Sequence, residues 1–408
     1  MAKKKSATKK EYKVVVAGHI CLDVFPTLSG GVELFRPGQT VEAGAVVFAT
    51  GGPVSNTGLA LHKLDVPVRL MGKVGDDLFG QAILHILNER SPELSEGMIV
   101  APGEASSYSI ILSTPHADRM LIHSPGCNAT FGVDDVRYDT LEGVQHFHFG
   151  YPPLMERMYR DNGAELATLF QRVQETGLTT SLDMCMPDPE SAAGHADWRT
   201  ILAATLPYVD VFLPSAEEIL LMLDRPLFER FAALPDSVRP LQHITPHMVS
   251  EMGQQLLDMG AKIVALKLGD RGLYLRTATA DVLARMGRDR IDVAEWAERE
   301  LWMPCFAVDV VGTTGAGDAT IAGFLAGFVY GMSPEMSLET ACAVGACSVE
   351  AVDAISGIRT WSKTAVRLAK GWPHLPLAFD IAQAGWRWHA ENGVWIGPKD
   401  TFERTVEL

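Results

Sequence analysis

The chain is short of positive charge, of paired cysteines and of long apolar runs, and each shortage narrows what it can do. Against 50 Asp and Glu it carries 35 Lys and Arg, a formal net charge of −15. That balance favours solubility and argues against a nucleic-acid partner. The one basic cluster, Met1-Ala2-Lys3-Lys4-Lys5-Ser6-Ala7-Thr8-Lys9-Lys10, reads as part of a disordered, solubilising tail over residues 1–12. Cys21, Cys127, Cys185, Cys305, Cys342 and Cys347 are scattered with no Cys-x-x-Cys pair. They read as reduced, mostly buried thiols of a cytoplasmic protein. The apolar run after the tail is only strand-length, so no signal peptide is expected. The long apolar stretch after residue 318 falls short of the roughly 20 residues a bilayer span needs, so no membrane partner is expected. No internal repeat is present.

What the chain does have is apolar substance, 47% of 408 residues, arranged as alternating strand-length and helical patterns from Val14 to about Ala351. This argues an α/β fold with a largely parallel sheet in one large domain. Strands are expected at 13–17, 146–150, 179–183, 209–213 and 262–269, with 272–275 as hairpin partner of the last. Two stretches break the alternation. Residues 25–50 hold Gly30-Gly31, Pro37-Gly38 and Gly44 between short apolar runs. Residues 104–125 show a strand at 107–113, a turn at Pro115-His116-Ala117-Asp118 and a return at 119–123, a hairpin signal. Both are expected to lie outside the main sheet.

The most informative segment is Gly312-Thr313-Thr314-Gly315-Ala316-Gly317-Asp318, preceded by the strand-like run 306–311 and followed by an apolar helix. A small-residue turn into a helix aims backbone N–H groups at one point, which suits an anion such as a phosphate in flight. Asp318, in the first helical turn, is then placed to take a proton from an attacking hydroxyl. A plain capped turn fits the residue types as well. No Lys-Ser or Lys-Thr pair follows, so this is not a Walker A loop.

The segment resembles the second signature of the PfkB (ribokinase-like) carbohydrate kinase family, Asp-Thr-x-Gly-Ala-Gly-Asp, with Gly312 in place of the first Asp. The resemblance makes Asp318 the catalytic base and the Gly315, Ala316 and Gly317 amides the anion hole. Gly51-Gly52-Pro53-Val54-Ser55-Asn56, continuing to Lys73-Val74-Gly75-Asp76-Asp77-Leu78-Phe79-Gly80, resembles the family's first signature. It implies that Gly52 and Asn56 hold substrate hydroxyls. Asp23, just past the first strand, matches a substrate-binding Asp, and Asp183 is a second candidate at the end of its strand. Leu213-Pro214-Ser215-Ala216-Glu217-Glu218 resembles an Asn-x-x-Glu motif with Ser215 for Asn, which implies Glu218 near Mg²⁺, through water. A capping box Ser215-x-x-Glu218 fits equally well. The segment with Lys267, Gly269 and Gly272, together with Thr313 and the small-residue helix around Gly345, falls on the family's nucleotide side. His146 and His148 alternate on one strand face and read as a structural pair rather than metal ligands.

The resemblance implies a three-layer α/β/α core with a mainly parallel central sheet and a small β lid. The kinase domain is expected at 13–371, with lid pieces at about 24–50 and 104–125. A Trp-rich extension at 372–408 is expected to pack on it through Trp372, Trp386, Trp388 and Trp395. The implied activity is ATP- and Mg²⁺-dependent phosphorylation of a hydroxyl of a small sugar or polyol, by a homodimer joined through the lid. A nucleoside kinase, with Phe25, Phe35, Phe48 or Tyr108 stacking a base, is an alternative. So is a catalytically silent homologue that binds a ligand or partner. A phosphosugar would call for Arg36 or Arg119. Without a carboxylate at 312, dependence on a monovalent cation is expected to be weak. Two segments exceed a compact core: 223–246, and 277–304, whose run 291–302 is expected to form an amphipathic helix beside the nucleotide site through Trp296 or Trp302.

Overall fold

The computed structural model describes residues 12–28, 37–38, 40–112, 120–234 and 239–402. The tail at 1–11 and Phe35, Arg36 and Arg119 lie outside the described residues. Val14–Gly18, His146–Gly150 and Thr179–Asp183 are buried at every position, as parallel strands covered on both faces must be. With Val68–Met71, Val211–Phe212 and Ile263–Lys267 they form the parallel part of a ten-stranded sheet. Leu273–Thr277, Glu300–Met303, Val394–Ile396 and Arg387–His389 continue it antiparallel.

Side-chain alternation sorts the core into two layers. Val14 and Val16 face helices Pro53–Lys63, Ala316–Val329 and Pro334–Ser348. Val15 and Ala17 face Ala164–Glu175, Trp198–Thr205, Ala216–Leu223 and Pro246–Asp258. The result is the expected three-layer α/β/α core. A separate four-stranded sheet, in the order Val46–Gly51, Cys21–Pro26, Tyr108–Leu112, Met120–Ser124, forms the small β lid. Among the described residues no helix is long and apolar enough to cross a membrane.

Two expectations need correcting. Residues 306–311 form no strand; only Phe306 makes an isolated bridge, to His374. Val310 and Val311, 64% and 59% exposed, have β propensity but no partner to pair with. Residues 291–302 form no continuous helix either. A single turn, Val293–Trp296, ends where Glu298 takes a left-handed φ of 53°, and Glu300–Met303 pairs with Leu273–Thr277. The two tryptophans of this insertion lie in different surroundings. Trp296 is buried against Phe324 and Phe328, while Trp302, on the strand, donates its indole N–H to the Arg271 carbonyl at 2.8 Å. Its middle reaches the amino ends of the parallel strands, where Arg288 binds the Val144 and Thr176 carbonyls at 2.9 and 2.8 Å. Asp289 there meets His146 at 2.5 Å, and His146 and His148 share the Ser181 hydroxyl at 2.7 and 2.8 Å.

Residues 372–402 lie along the antiparallel edge. Trp372 stacks on Phe306 at 4.7 Å between ring centres, and Trp386 meets Trp302 edge-on.

Candidate active site

The parallel strands end on a common line, with Gly18, Gly150 and Asp183 in register, and the carboxyl edge of such a sheet is where ligands bind. Above it starts the helix Ala316–Val329. Gly315, at its N-cap, has φ of 70°, and a Cβ there would lie 2.3 Å from the Ala354 Cβ, so the turn requires glycine.

Asp318 is buried in the first turn of that helix. Its carboxylate accepts the Asn56 amide at 3.0 Å, the Tyr151 hydroxyl at 3.1 and 3.0 Å, and the Thr57 hydroxyl at 3.4 Å. Burial pushes its proton affinity above the usual Asp range. The Asn56, Tyr151 and Thr57 donors and the charge of Lys267 oppose that rise. The carboxylate is therefore partly desolvated yet held in position, which is what a general base needs.

Beside it, the Lys267 ammonium sits 2.5 Å from Asp183 Oδ1, and a Cβ built on Gly317 would lie 3.9 Å from Lys267 Nζ. Burial works to lower the proton affinity of Lys267, but Asp183, Glu218 and Asp318 together more than reverse it, so the ammonium stays charged. Glu218 makes a capping box: the Ser215 N–H donates to its carboxylate at 2.7 Å, and its own N–H donates to the Ser215 hydroxyl at 3.2 Å. Among the described residues no three His, Cys, Asp or Glu side chains are arranged to hold a metal ion. Glu218 has only one oxygen fixed by that cap, so it fits a Mg²⁺ held chiefly by phosphates and water.

Asp23, Gly52 and Asn56 converge at the lid end. Asp23 takes the Cys21 thiol at 3.3 Å. A Cβ on Gly51 would lie 2.3 Å from its carboxylate, and one on Gly52, whose φ is 84°, would lie 2.5 Å from His19 Nδ1. The main chain thus comes as close to these groups as it can. Two buried acceptors in this region, Asn56 Oδ1 and Asp183 Oδ2, meet no donor among the described residues. Buried acceptors need donors, and the hydroxyls of a bound ligand are donors of that kind. In the lid Phe48 is 54% exposed and Tyr108 meets Phe79 edge-on at 5.4 Å.

The residues expected on the nucleotide side are more dispersed. Lys267 belongs to the centre, against Asp183. Thr313 is exposed, and its carbonyl takes the Ala316 N–H at 3.3 Å, so that amide is partly spent. Gly269 is exposed in a 3-10 turn. Gly272 has φ of 100°, and a Cβ there would meet the Met303 carbonyl at 1.9 Å; it lets the hairpin touch the next strand. Gly345 is buried with its would-be Cβ 2.4 Å from the Thr320 hydroxyl, so it sets the approach of helix Pro334–Ser348 to helix Ala316–Val329. Gly312 packs on the Ala351 and Val352 carbonyls at 2.8 and 3.0 Å from its would-be Cβ.

Two groups at the centre escape sequence reasoning. Tyr151 follows its strand with a left-handed φ of 66°, which turns the phenol onto Asp318. Thr57 lies one residue past Asn56. The only signal for Tyr151 is its place after a strand end, in Gly150-Tyr151-Pro152-Pro153.

Comparison with known proteins bears on the family and the fold. The family model described as pfkB family carbohydrate kinase matches residues 12–361. An ATP-dependent ribose-1-phosphate kinase from Halopiger xanaduensis is 25% identical over 340 residues, 82% of this chain and 90% of that one. An Arabidopsis thaliana ribokinase solved with ribose and ATP has a TM-score of 0.65 at 19% identity, covering 88% of this chain and 99% of that one. An E. coli protein assigned as a ribokinase II, solved with ATP and Mg²⁺, gives 0.64 at 19% identity over the same shares. At that identity the two structures speak for the fold.

Proposed function

Because the chain belongs to the pfkB family of carbohydrate kinases, we propose that it transfers the γ-phosphoryl group of ATP to a hydroxyl of a small sugar or polyol, with Asp318 as base. The observation that carries this reading is the buried Asp318 carboxylate, held by Asn56, Tyr151 and Thr57 at a helix N-terminus beside the Lys267 ammonium. Asp318 takes the acceptor's proton as its oxygen bonds to the γ-phosphorus. The bond from that phosphorus to the β–γ bridging oxygen breaks, and ADP leaves. Helix N-terminal amides at Gly315 and Gly317, with Lys267, stabilise the charge on the group in flight. Asp23, Gly52, Asn56 and Asp183 bind the acceptor. Residue Glu218 would help hold Mg²⁺ through water; bound with ATP, the ion's chemistry is neutralisation of phosphate charge. Closure of the lid keeps water from the phosphoryl group.

The acceptor pocket, with the Asp23, Asp183 and Asp318 carboxyl groups and buried acceptors that seek donors, favours an unphosphorylated sugar or polyol. The unpaired cysteines support a cytoplasmic setting. Val47, Phe48, Leu121 and Ile122 are exposed on the two edge strands of the lid, which supports a homodimer joined there. A screen of ATP turnover over sugars, polyols and nucleosides tests the reading. Acceptor-dependent ADP release with a sugar or polyol is expected. Turnover with nucleosides alone would make it a nucleoside kinase, and none with any acceptor would make it a silent homologue.

A further inference from the structure

The helix Pro53–Lys63 touches the candidate site twice, once at each end. At its start Asn56 and Thr57 bind the Asp318 carboxylate. Two turns later, on the same face by helical periodicity, Lys63 reaches another segment altogether. Its ammonium donates to the Ile355 carbonyl at 2.8 Å and the Ile358 carbonyl at 3.2 Å. A last-turn lysine ordinarily serves its own helix dipole; this one is spent on a loop some 290 residues away in sequence.

That loop, between helices Pro334–Ser348 and Trp361–Ala369, is the floor of the catalytic turn. The N–H groups of Val311 and Gly312 donate to the Val349 carbonyl at 2.8 and 3.2 Å. Gly312 lies on the Ala351 and Val352 carbonyls, and Gly315 on Ala354, with no room for a Cβ at either. The contacts therefore close a ring: Asp318 to Asn56 and Thr57, along the helix to Lys63, across to Ile355 and Ile358, back through the loop to Gly312 and Gly315, and so to Asp318. Main-chain carbonyls outside regular structure need a donor, and an ammonium is donor only, with three hydrogens to share.

We propose that Lys63 is a positioning residue for phosphoryl transfer, whose ammonium holds the 351–358 loop under the catalytic turn and so fixes the anion-hole amides relative to Asp318. This rests on the kinase reading of the same site. It touches neither substrate and acts only through the loop.

The test compares Lys63→Met, Lys63→Arg and Lys63→Ala in the full chain. Lys63→Met keeps the apolar stem and loses the donors. Its kcat should fall about tenfold or more, on the scale of misplaced reacting groups, while KM for the acceptor changes less than about threefold. Lys63→Arg keeps a cationic donor and should recover most of the loss. Methylammonium or ammonium should raise the turnover of Lys63→Ala and leave the native chain unmoved. Without substrates, Lys63→Met should exchange amide hydrogens faster at 312–317 and 351–358. If Lys63→Met does not fold, Lys63→Leu, which also lacks donors, replaces it. A kcat within about twofold of native, unchanged exchange, or a folded Lys63→Arg as impaired as Lys63→Met would each overturn the proposal. Exchange needs no turnover, so it decides the clamp even if no acceptor is found and the kinase reading itself fails.

Discussion

On the wall proposed to hold the acceptor, Asn56, Thr57, Tyr151, Asp183 and Lys267 meet Asp318 or one another through side-chain hydrogen bonds, from elements up to 262 residues apart. On the wall proposed to hold the nucleotide, from Gly312 to Gly315 and along 350–358, the glycines pack closely on Ala351, Val352 and Ala354, and the exposed residues are Thr313, Val352, Asp353 and Ser356. One wall is organised by polar side chains in low dielectric, where each hydrogen bond is strong and each unpaired group costly. The other owes its shape to what packs behind it: Lys63, the C-terminal segment, and glycines that permit close approach. Substitutions on the first wall should therefore alter catalysis, and those behind the second should alter nucleotide affinity, except at Lys63, which positions the turn before Asp318.

The sharpest way to break this contrast is Lys267→Met. It removes the charge beside Gly317 and strands the Asp183 carboxylate. A loss in kcat/KM of about 10²-fold is expected, the scale of a lost electrostatic donor, with about 3–5 kcal/mol of stability lost to the unpaired buried charge. Burial already raises the Asp183 carboxyl, and Lys267 opposes that. In the variant the acid binds its proton more tightly when folded than unfolded, so the stability deficit should grow with rising pH and shrink in acid. Melts at two pH values check the sign; a deficit that grows towards acid would mean that Asp183 is not left unpaired.

Tyr151→Phe is milder. The phenol hydrogen lowers the Asp318 pKa, so its removal should move the acid limb of the kcat/KM profile to higher pH and cut turnover at neutral pH by about three- to tenfold. An acid limb unmoved, or moved to lower pH, would separate Tyr151 from the base.

Behind the other wall, Trp372 stacks on Phe306, donates to the Ala307 carbonyl at 2.9 Å and lies under Arg367, which pairs with Glu350. Trp372→Ala should raise KM for ATP several-fold with kcat and acceptor KM little changed, measured below its lowered Tm. A selective rise in acceptor KM would reverse the two walls.

The smallest expected effect concerns Gly312. Without a carboxylate there, adding K⁺ to the native chain in tetramethylammonium buffer should change turnover less than about tenfold, or 1.4 kcal/mol of barrier. A larger rise would show that carbonyls alone suffice. Gly312→Asp should increase the dependence only if the Ala351–Val352 carbonyls shift to admit its Cβ.

The same contrast separates what was legible in the sequence from what was not. The buried parallel strands at 146–150 and 179–183 were readable to the residue as strand-length segments that end at Gly150 and Asp183, and the first strand, Val14–Gly18, carries the continuous apolar run that two-sided burial writes. The glycine-rich turn before Asp318 was readable because its backbone geometry demands those residue types. The strand Glu300–Met303 was not. Its approach, Ala294-Glu295-Trp296-Ala297-Glu298-Arg299, has helical composition, and only pairing with Leu273–Thr277 and the left-handed Glu298 override it. Residues 306–311 failed the other way, since strand propensity means little without a neighbour. Tyr151 was illegible because its role depends on one backbone angle and a partner 167 residues away.

The central claim is reached most directly by Asp318→Asn, with nucleotide binding and turnover measured on one preparation. The asparagine oxygen can still accept from Asn56 and Tyr151, so the fold and the ATP Kd should hold, the latter within about threefold. Turnover with the acceptor found by the screen should fall by about 10²-fold or more, the scale of lost general-base catalysis. A fall of less than about tenfold with ATP still bound would mean that Asp318 is not the base.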